Sequence, residues 1–223
     1  MVKLPTQYQI VEYLENTGTQ YIDTEVVGKV NLEVHASVAF TNNLYFSNMG
    51  LLGCRQDSGA KRFYIISAYQ NTWHVGLGDD VQSSDYISEN VLYEVDFSLL
   101  TRKCILNVND SETLNFNTKF TSTTYPMFLF ACNNYGTASR FCPAKVYNLS
   151  IAQDGVPVRY FVPCYRKSDN EPGMYDLVSQ RFFTNSGNGK FSVGHEVSWD
   201  TASLLERRRM IMSASNYEML KGE

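Results

Sequence analysis

Val30, Leu32, Val34, Ala36, Val38 and Phe40 alternate with Asn31, Glu33, His35, Ser37, Ala39 and Thr41. Side chains two apart share one face of a β-strand, so this run sets an apolar row on a core and a polar row on water. A helix has no use for that period. Val91, Tyr93, Val95, Phe97 and Leu99 repeat it against Leu92, Glu94, Asp96 and Ser98, and Cys104, Leu106 and Val108 continue out of phase with Lys103 and Asn107. Met127–Cys132 is apolar throughout, the pattern of a central strand covered on both faces. Gly50–Gly53 and Phe63–Ala68 are weaker examples.

Turn chemistry separates these runs. Leu100-Thr101, Asn109-Asp110 and Asp154-Gly155 fall between strands, and Asp-Gly tolerates the positive φ angles of a tight hairpin. Fifteen Tyr and 13 Phe, against two Trp, suit half-buried pleated surfaces. The expected fold is all-β: one antiparallel jelly-roll sandwich over residues 1–197. Residues 198–223 differ. Good helix formers follow a cap at Asp200 or Thr201, and Leu204, Leu205, Ile211, Met212 and Met219 make one apolar stripe opposite Glu206 and Arg207–Arg209. A short C-terminal α-helix is expected there. It either packs back on the sandwich or docks on a sister subunit or partner.

The formal net charge is −4, and no basic stripe is interleaved with aromatics, which excludes nucleic acid as a partner. No apolar run approaches the roughly 18 residues of a membrane span. The first residues, Met-Val-Lys-Leu-Pro-Thr-Gln-Tyr, lack the apolar core of a secretory leader. Cys54, Cys104, Cys132, Cys142 and Cys164 form no CxxC pair, which argues against thiolate zinc. They read as small buried hydrophobes of a reducing compartment.

Two segments carry a resemblance. One is Tyr13-Leu-Glu-Asn-Thr-Gly-Thr-Gln-Tyr-Ile-Asp-Thr24. The other is Tyr160-Phe-Val-Pro-Cys-Tyr-Arg-Lys-Ser-Asp169 with Gly173-Met-Tyr-Asp-Leu-Val178 and Phe182-Phe-Thr-Asn-Ser-Gly-Asn-Gly189. Together they resemble concanavalin-A-like, laminin-G-type sandwich domains, which occur in phage and prophage structural proteins and in surface proteins of gut bacteria. The resemblance covers residues 9–195. It implies scaffold roles for these motifs: a turn at Gly18, a charge network of Arg166, Lys167 and Asp169, and a tight turn at Gly187 and Gly189.

The same sandwich class includes laminarinase-type glycosidases, whose carboxylates line one strand as Glu-x-Asp-x-x-Glu. Here Glu94 and Asp96 share a face, but Leu99 stands in the third place. His35, His74 and His195 lack metal spacing, and His35 reads as a surface residue. Asp79 and Asp80 offer calcium-ligand chemistry but read more simply as a solvated acidic turn. No other cofactor is indicated.

Sugar sites on such sandwiches combine an aromatic platform with amides on loops. Two loops have that chemistry: Tyr69, Asn71, Trp73 and His74, and Asn133, Asn134 and Tyr135 followed by Arg140. Each has a plainer alternative, with Trp73 in the core and Asn133–Gly136 as a simple turn. The expected function is a non-enzymatic binding or structural module, a virion component made in a host cytoplasm. It would meet a glycan or cell-surface receptor, and other virion proteins or its own copies through the tail helix. The alternatives are a divergent glycoside hydrolase and a carbohydrate-binding protein of the bacterial cell surface.

Overall fold

The alternation at residues 32–40 is realised as a long central strand with its apolar row buried. The structure, a computed structural model, describes residues 4–41, 49–56, 62–77, 79–107, 111–115 and 122–198. Those residues form nineteen strands and no helix. The expected tail helix, with Leu204, Leu205, Ile211, Met212 and Met219, lies outside the described residues, as does the Asn109-Asp110 turn.

In chain order the strands are β1 (Tyr8–Ile10), β2 (Leu14–Asn16), β3 (Ile22–Val27), β4 (Leu32–Phe40) and β5 (Met49–Arg55). Next come β6 (Arg62–Tyr69), β7 (Thr72–Leu77), β8 (Asp79–Tyr86), β9 (Tyr93–Ser98), β10 (Lys103–Asn107) and β11 (Ser111–Asn115). Then follow β12 (Pro126–Leu129), β13 (Ala131–Asn134), β14 (Thr137–Ser139), β15 (Ala144–Gln153) and β16 (Val156–Arg166). The last are β17 (Glu171–Asp176), β18 (Arg181–Thr184) and β19 (Ser192–Val193).

They make two sheets. The larger runs β11-β10-β9-β4-β15-β16-β17-β18, with β1 against β16, β2 against β15 and β19 against β2. The smaller runs β14-β13-β5-β6-β7-β8, with β12 joined to β3 and β5. Pairing is antiparallel except where β13 lies parallel to β5. One core fills the space between the sheets. Phe40, Phe97, Phe130, Phe161, Leu14, Ile22, Leu32 and Leu52 are each at most 2% exposed. A fully buried side chain of this kind contributes about 1.5–3 kcal/mol.

Three hairpins turn on two residues with positive φ: Gln70-Asn71, Tyr135-Gly136 and the expected Asp154-Gly155. Such turns match the right-handed twist of the flanking strands. Two expectations fail locally. Val30 is 47% exposed and precedes β4, because the alternating letters run past the end of the pairing, which starts at Leu32. Met127–Cys132 is buried throughout but is not one strand. Phe130 takes φ 68°, which divides the run into β12 and β13. All five cysteines are buried as free thiols. Burial pushes the Cys54 and Cys164 thiols up to about 12, and drives Cys142 up as well.

The motifs from the two ends of the chain interlock. Asn185 Oδ1 accepts from Tyr21 N at 3.1 Å, and Tyr21 O accepts from Ser186 N at 2.8 Å. A Cβ on Gly187 would lie 2.0 Å from the Thr19 carbonyl oxygen, so only glycine fits this approach. Asn16, fully buried, donates to Cys142 O at 3.0 Å and accepts from Gly18 N at 2.8 Å. Arg166 holds Asp169 at 2.7 Å, and Asp169 caps Glu171 N, while Lys167, expected in the same network, enters among the described residues only by its backbone N–H, which donates to Gln7 O.

Candidate ligand-binding face

The two loops expected to bind sugar are held apart. β13 runs parallel to β5 and β6 antiparallel to it, so the Tyr135-Gly136 and Gln70-Asn71 turns lie at opposite ends of the small sheet. Trp73 is no platform. It is 3% exposed, between Phe40 and Tyr93, with ring centroids 5.1 Å from each. Asn71 occupies the turn, where its carbonyl accepts from Ile87 N, and Tyr69 ends β6. His74 is half-buried on β7, pointing away from the Trp73 side. Asn133 is a structural pin: it is 1% exposed, donates to Pro126 O at 2.9 Å and accepts from Gly136 N at 2.8 Å. Asn134 and Arg140 are half-buried, and the Arg140 carbonyl accepts from Gly50 N. Tyr135 presents a ring to solvent, at 51% exposure. Asp79 and Asp80 open strand β8 rather than a free turn. Among the described residues no group of three or more His, Cys, Asp or Glu side chains is arranged to hold a metal ion.

Polar groups converge elsewhere, on the solvent face of the large sheet. The register of β10, β9, β4, β15 and β16 stacks the outward residues in cross-strand rows. The first row is Lys103, Ser98, Glu33, Ala152 and Pro157. The second is Ile105, Asp96, His35, Ser150 and Tyr160. The third is Glu94, Ser37 and Asn148. Directly opposed side chains on one face lie within about 5.5 Å, close enough to form a continuous network. The first two rows, apart from Tyr160, line a cleft of about 440 Å³, with Thr101 of the β9–β10 turn at its rim.

His35 organises this ladder. Its Nδ1 is 2.7 Å from Asp96 Oδ1. A carboxylate only accepts, so the imidazole carries a proton on Nδ1 and donates it there. Nε2 lies 3.5 Å from Glu94 Oε2 and makes no hydrogen bond. Glu94 accepts from Ser37 Oγ at 2.5 Å, and Ser37 accepts from Asn148 Nδ2 at 2.8 Å. Asp96, His35 and Ser150 are residue types of a hydrolase triad, yet Nε2 turns toward Glu94 and does not bond the serine. What remains available faces the cleft. Glu33 has only a 3.3 Å contact from Ser98 Oγ, and Lys103 has no acidic partner among the described residues. Ser150 is 8% exposed, and its hydroxyl has no hydrogen-bond partner among the described residues.

An aromatic pair closes the ladder. Val146 and Leu149 both face the core, and the pairing of β15 with β4 shifts register between Val146 and Asn148. The two residues between them, Tyr147 and Asn148, therefore both project to the solvent face, as a β-bulge allows. The half-buried Tyr147 ring meets Tyr13 edge-on at 5.4 Å, and Lys145 Nζ sits 4.8 Å over Tyr13. The sequence marked Glu94 and Asp96 as sharing a face and placed His35 on a polar face. It held no signal for the bulge, or for the pairing that sets residues 35, 96 and 150 side by side.

This fold has a solved counterpart. A candidate carbohydrate-binding protein from Bacteroides ovatus superposes with a TM-score of 0.53 over 85% of this chain, at 11% identity. At that identity the likeness is one of fold alone. The chain spans 62% of that protein's length. No family model and no curated protein matches the sequence.

Proposed function

We propose that the protein is a non-enzymatic carbohydrate-binding module, a jelly roll of the concanavalin-A-like, laminin-G type, that holds a glycan on the solvent face of its large sheet. The observation that carries the reading is the cleft beside His35. There Glu33, Asp96, Lys103 and Ser150 present a mixed set of donors and acceptors on rigid strands. Sugar hydroxyls both donate and accept, and such a set answers them. The Bacteroides ovatus likeness adds support at the level of fold. A virion setting rests on the resemblance of the end motifs alone and draws no support from the comparisons.

A glycan array probed with the full chain tests the reading. Binding is expected, with Glu33→Gln and Ser150→Ala each weakening it about tenfold, the worth of one good hydrogen bond to a charged or buried group. Silence across a broad array, with the protein folded, defeats it. The competing reading is a glycosidase using Glu94 and Asp96, which do share this face. Against it, Ser37 and His35 already engage these two carboxylates, and Leu99 in the third place is buried in the core. Polysaccharide cleavage by the wild type, abolished in Glu94→Gln or Asp96→Asn, would establish that reading instead.

A further inference from the structure

We infer that this face takes an internal stretch of a linear, uncharged oligosaccharide, several sugar units laid along the strands, rather than one terminal sugar. The inference rests on the proposed glycan-binding role and concerns how the ligand lies.

Three observations set the direction. The polar strip is bounded sideways. Ile105 of β10 ends the middle row on one flank, and Tyr160 of β16, 5% exposed under an apolar cover, ends it on the other. The strip is therefore the width of β9, β4 and β15, about 10 Å at the usual strand spacing. Lengthwise it runs through three rows, each two residues apart, about 14 Å at the rise of an antiparallel strand. The bulge then adds Tyr147 and its edge-on partner Tyr13 beyond the third row.

The two ends offer different chemistry. The cleft end has the available hydrogen-bonding groups: Glu33, Lys103 and the Ser150 hydroxyl, the last on a residue more than nine-tenths buried and lining the cleft. The far end has the half-buried Tyr147 and Tyr13 rings, and tyrosine rings stack on the apolar faces of sugars. A single ring reaches one end or the other. A chain reaches both, and each added unit gains contacts until the tyrosines are covered. Glu33, Glu94 and Asp96 outnumber Lys103 and Lys145 on and beside this strip, so a uronic or sulfated chain meets net repulsion and a neutral one does not.

The test is an affinity series on the full-length chain. The probes are mono- to hexasaccharides of the β-1,3-glucan, β-1,4-glucan, β-1,4-mannan and β-1,4-xylan series, titrated by calorimetry. The expected result is a Kd that falls at least tenfold between the one-unit and four-unit members of one series. Tyr147→Ala should flatten that dependence and Tyr147→Phe should keep it, with unfolding midpoints confirming that both variants fold. Equal affinity for the monosaccharide, or an unflattened slope in Tyr147→Ala, overturns the inference. So does silence of every series while a branched or terminal sugar binds on the array, and in that case the glycan-binding role survives. Silence of the whole array removes both.

Discussion

The solvent face of the large sheet is divided between two unlike halves. Over β9, β4 and β15 it is polar and open, with His35, Asp96 and Ser150 in one row. Over β16 and β17 it is apolar and covered: Tyr160, Val162, Cys164, Tyr175 and Leu177 form a second core with Ile10, packed by Leu4, Tyr8, Phe182 and Val197. The cover is made by the two ends of the domain. Val11 N bonds Pro163 O, Glu12 N bonds His195 O, and Val197 N bonds Ile10 O. The same sheet thus uses one half to hold its own chain and leaves the other bare. An apolar face must be covered by something, whereas a polar one is stable in water and can wait for a ligand.

The covered half should fail hardest when its chemistry is made like the open one. Val162→Asp places an unpaired charge in the second core, and a loss of roughly 3–5 kcal/mol is expected, the scale of an uncompensated buried charge. Urea unfolding measures it. A loss under about 1 kcal/mol would mean that the cover is loose and the division only apparent. Ile10→Ala removes packing from the cover itself, with an expected cost of about 2 kcal/mol. It should also speed alkylation of Cys164, its cross-strand neighbour. Unchanged labelling of Cys164 beside a lowered stability would show that the cover stays shut.

The thiols give a smaller effect with a definite sign. Burial raises the Cys164 and Cys54 thiols to about 12 from an ordinary value near 9. The folded thiol stays protonated while the unfolded one ionises. Stability is therefore intact below about pH 9 and drains as pH rises toward 12, by up to about 1.4 kcal/mol per pH unit per thiol. Cys164→Ala should make that alkaline decline shallower. A slope identical to wild type between pH 9 and 11 would indicate that the cover already admits water.

What the sequence disclosed follows the same division. The alternation in β4 and β9, the Asp154-Gly155 turn and the burial of the cysteines are local consequences of residue type and were readable. So was the sharing of a face by Glu94 and Asp96. At Trp73 and Asn133 the plainer alternative holds, with the ring turned inward and the amide serving the backbone, a choice that loop-like letters leave open. The cleft was not readable, since its row joins residues 35, 96 and 150 from three separate strands. Register between distant strands is a tertiary quantity. The bulge at Tyr147 and the positive φ of Phe130 break a period from within, and neither Tyr nor Phe is a residue that announces such a break.

The smallest change in stability falls on the open half, and it bears most directly on function. Glu33 contributes to folding only through a long contact from Ser98, so Glu33→Gln should move the unfolding free energy by less than about 0.5 kcal/mol. The substitution keeps shape and volume while removing the charge and one acceptor lone-pair set. If the open half is held ready for a ligand, this nearly silent variant should still lose about tenfold in glycan affinity. A stability loss above 1 kcal/mol would place Glu33 among the groups that hold the sheet together. The open half would then be a second structural surface, differing from the covered one in polarity but not in purpose.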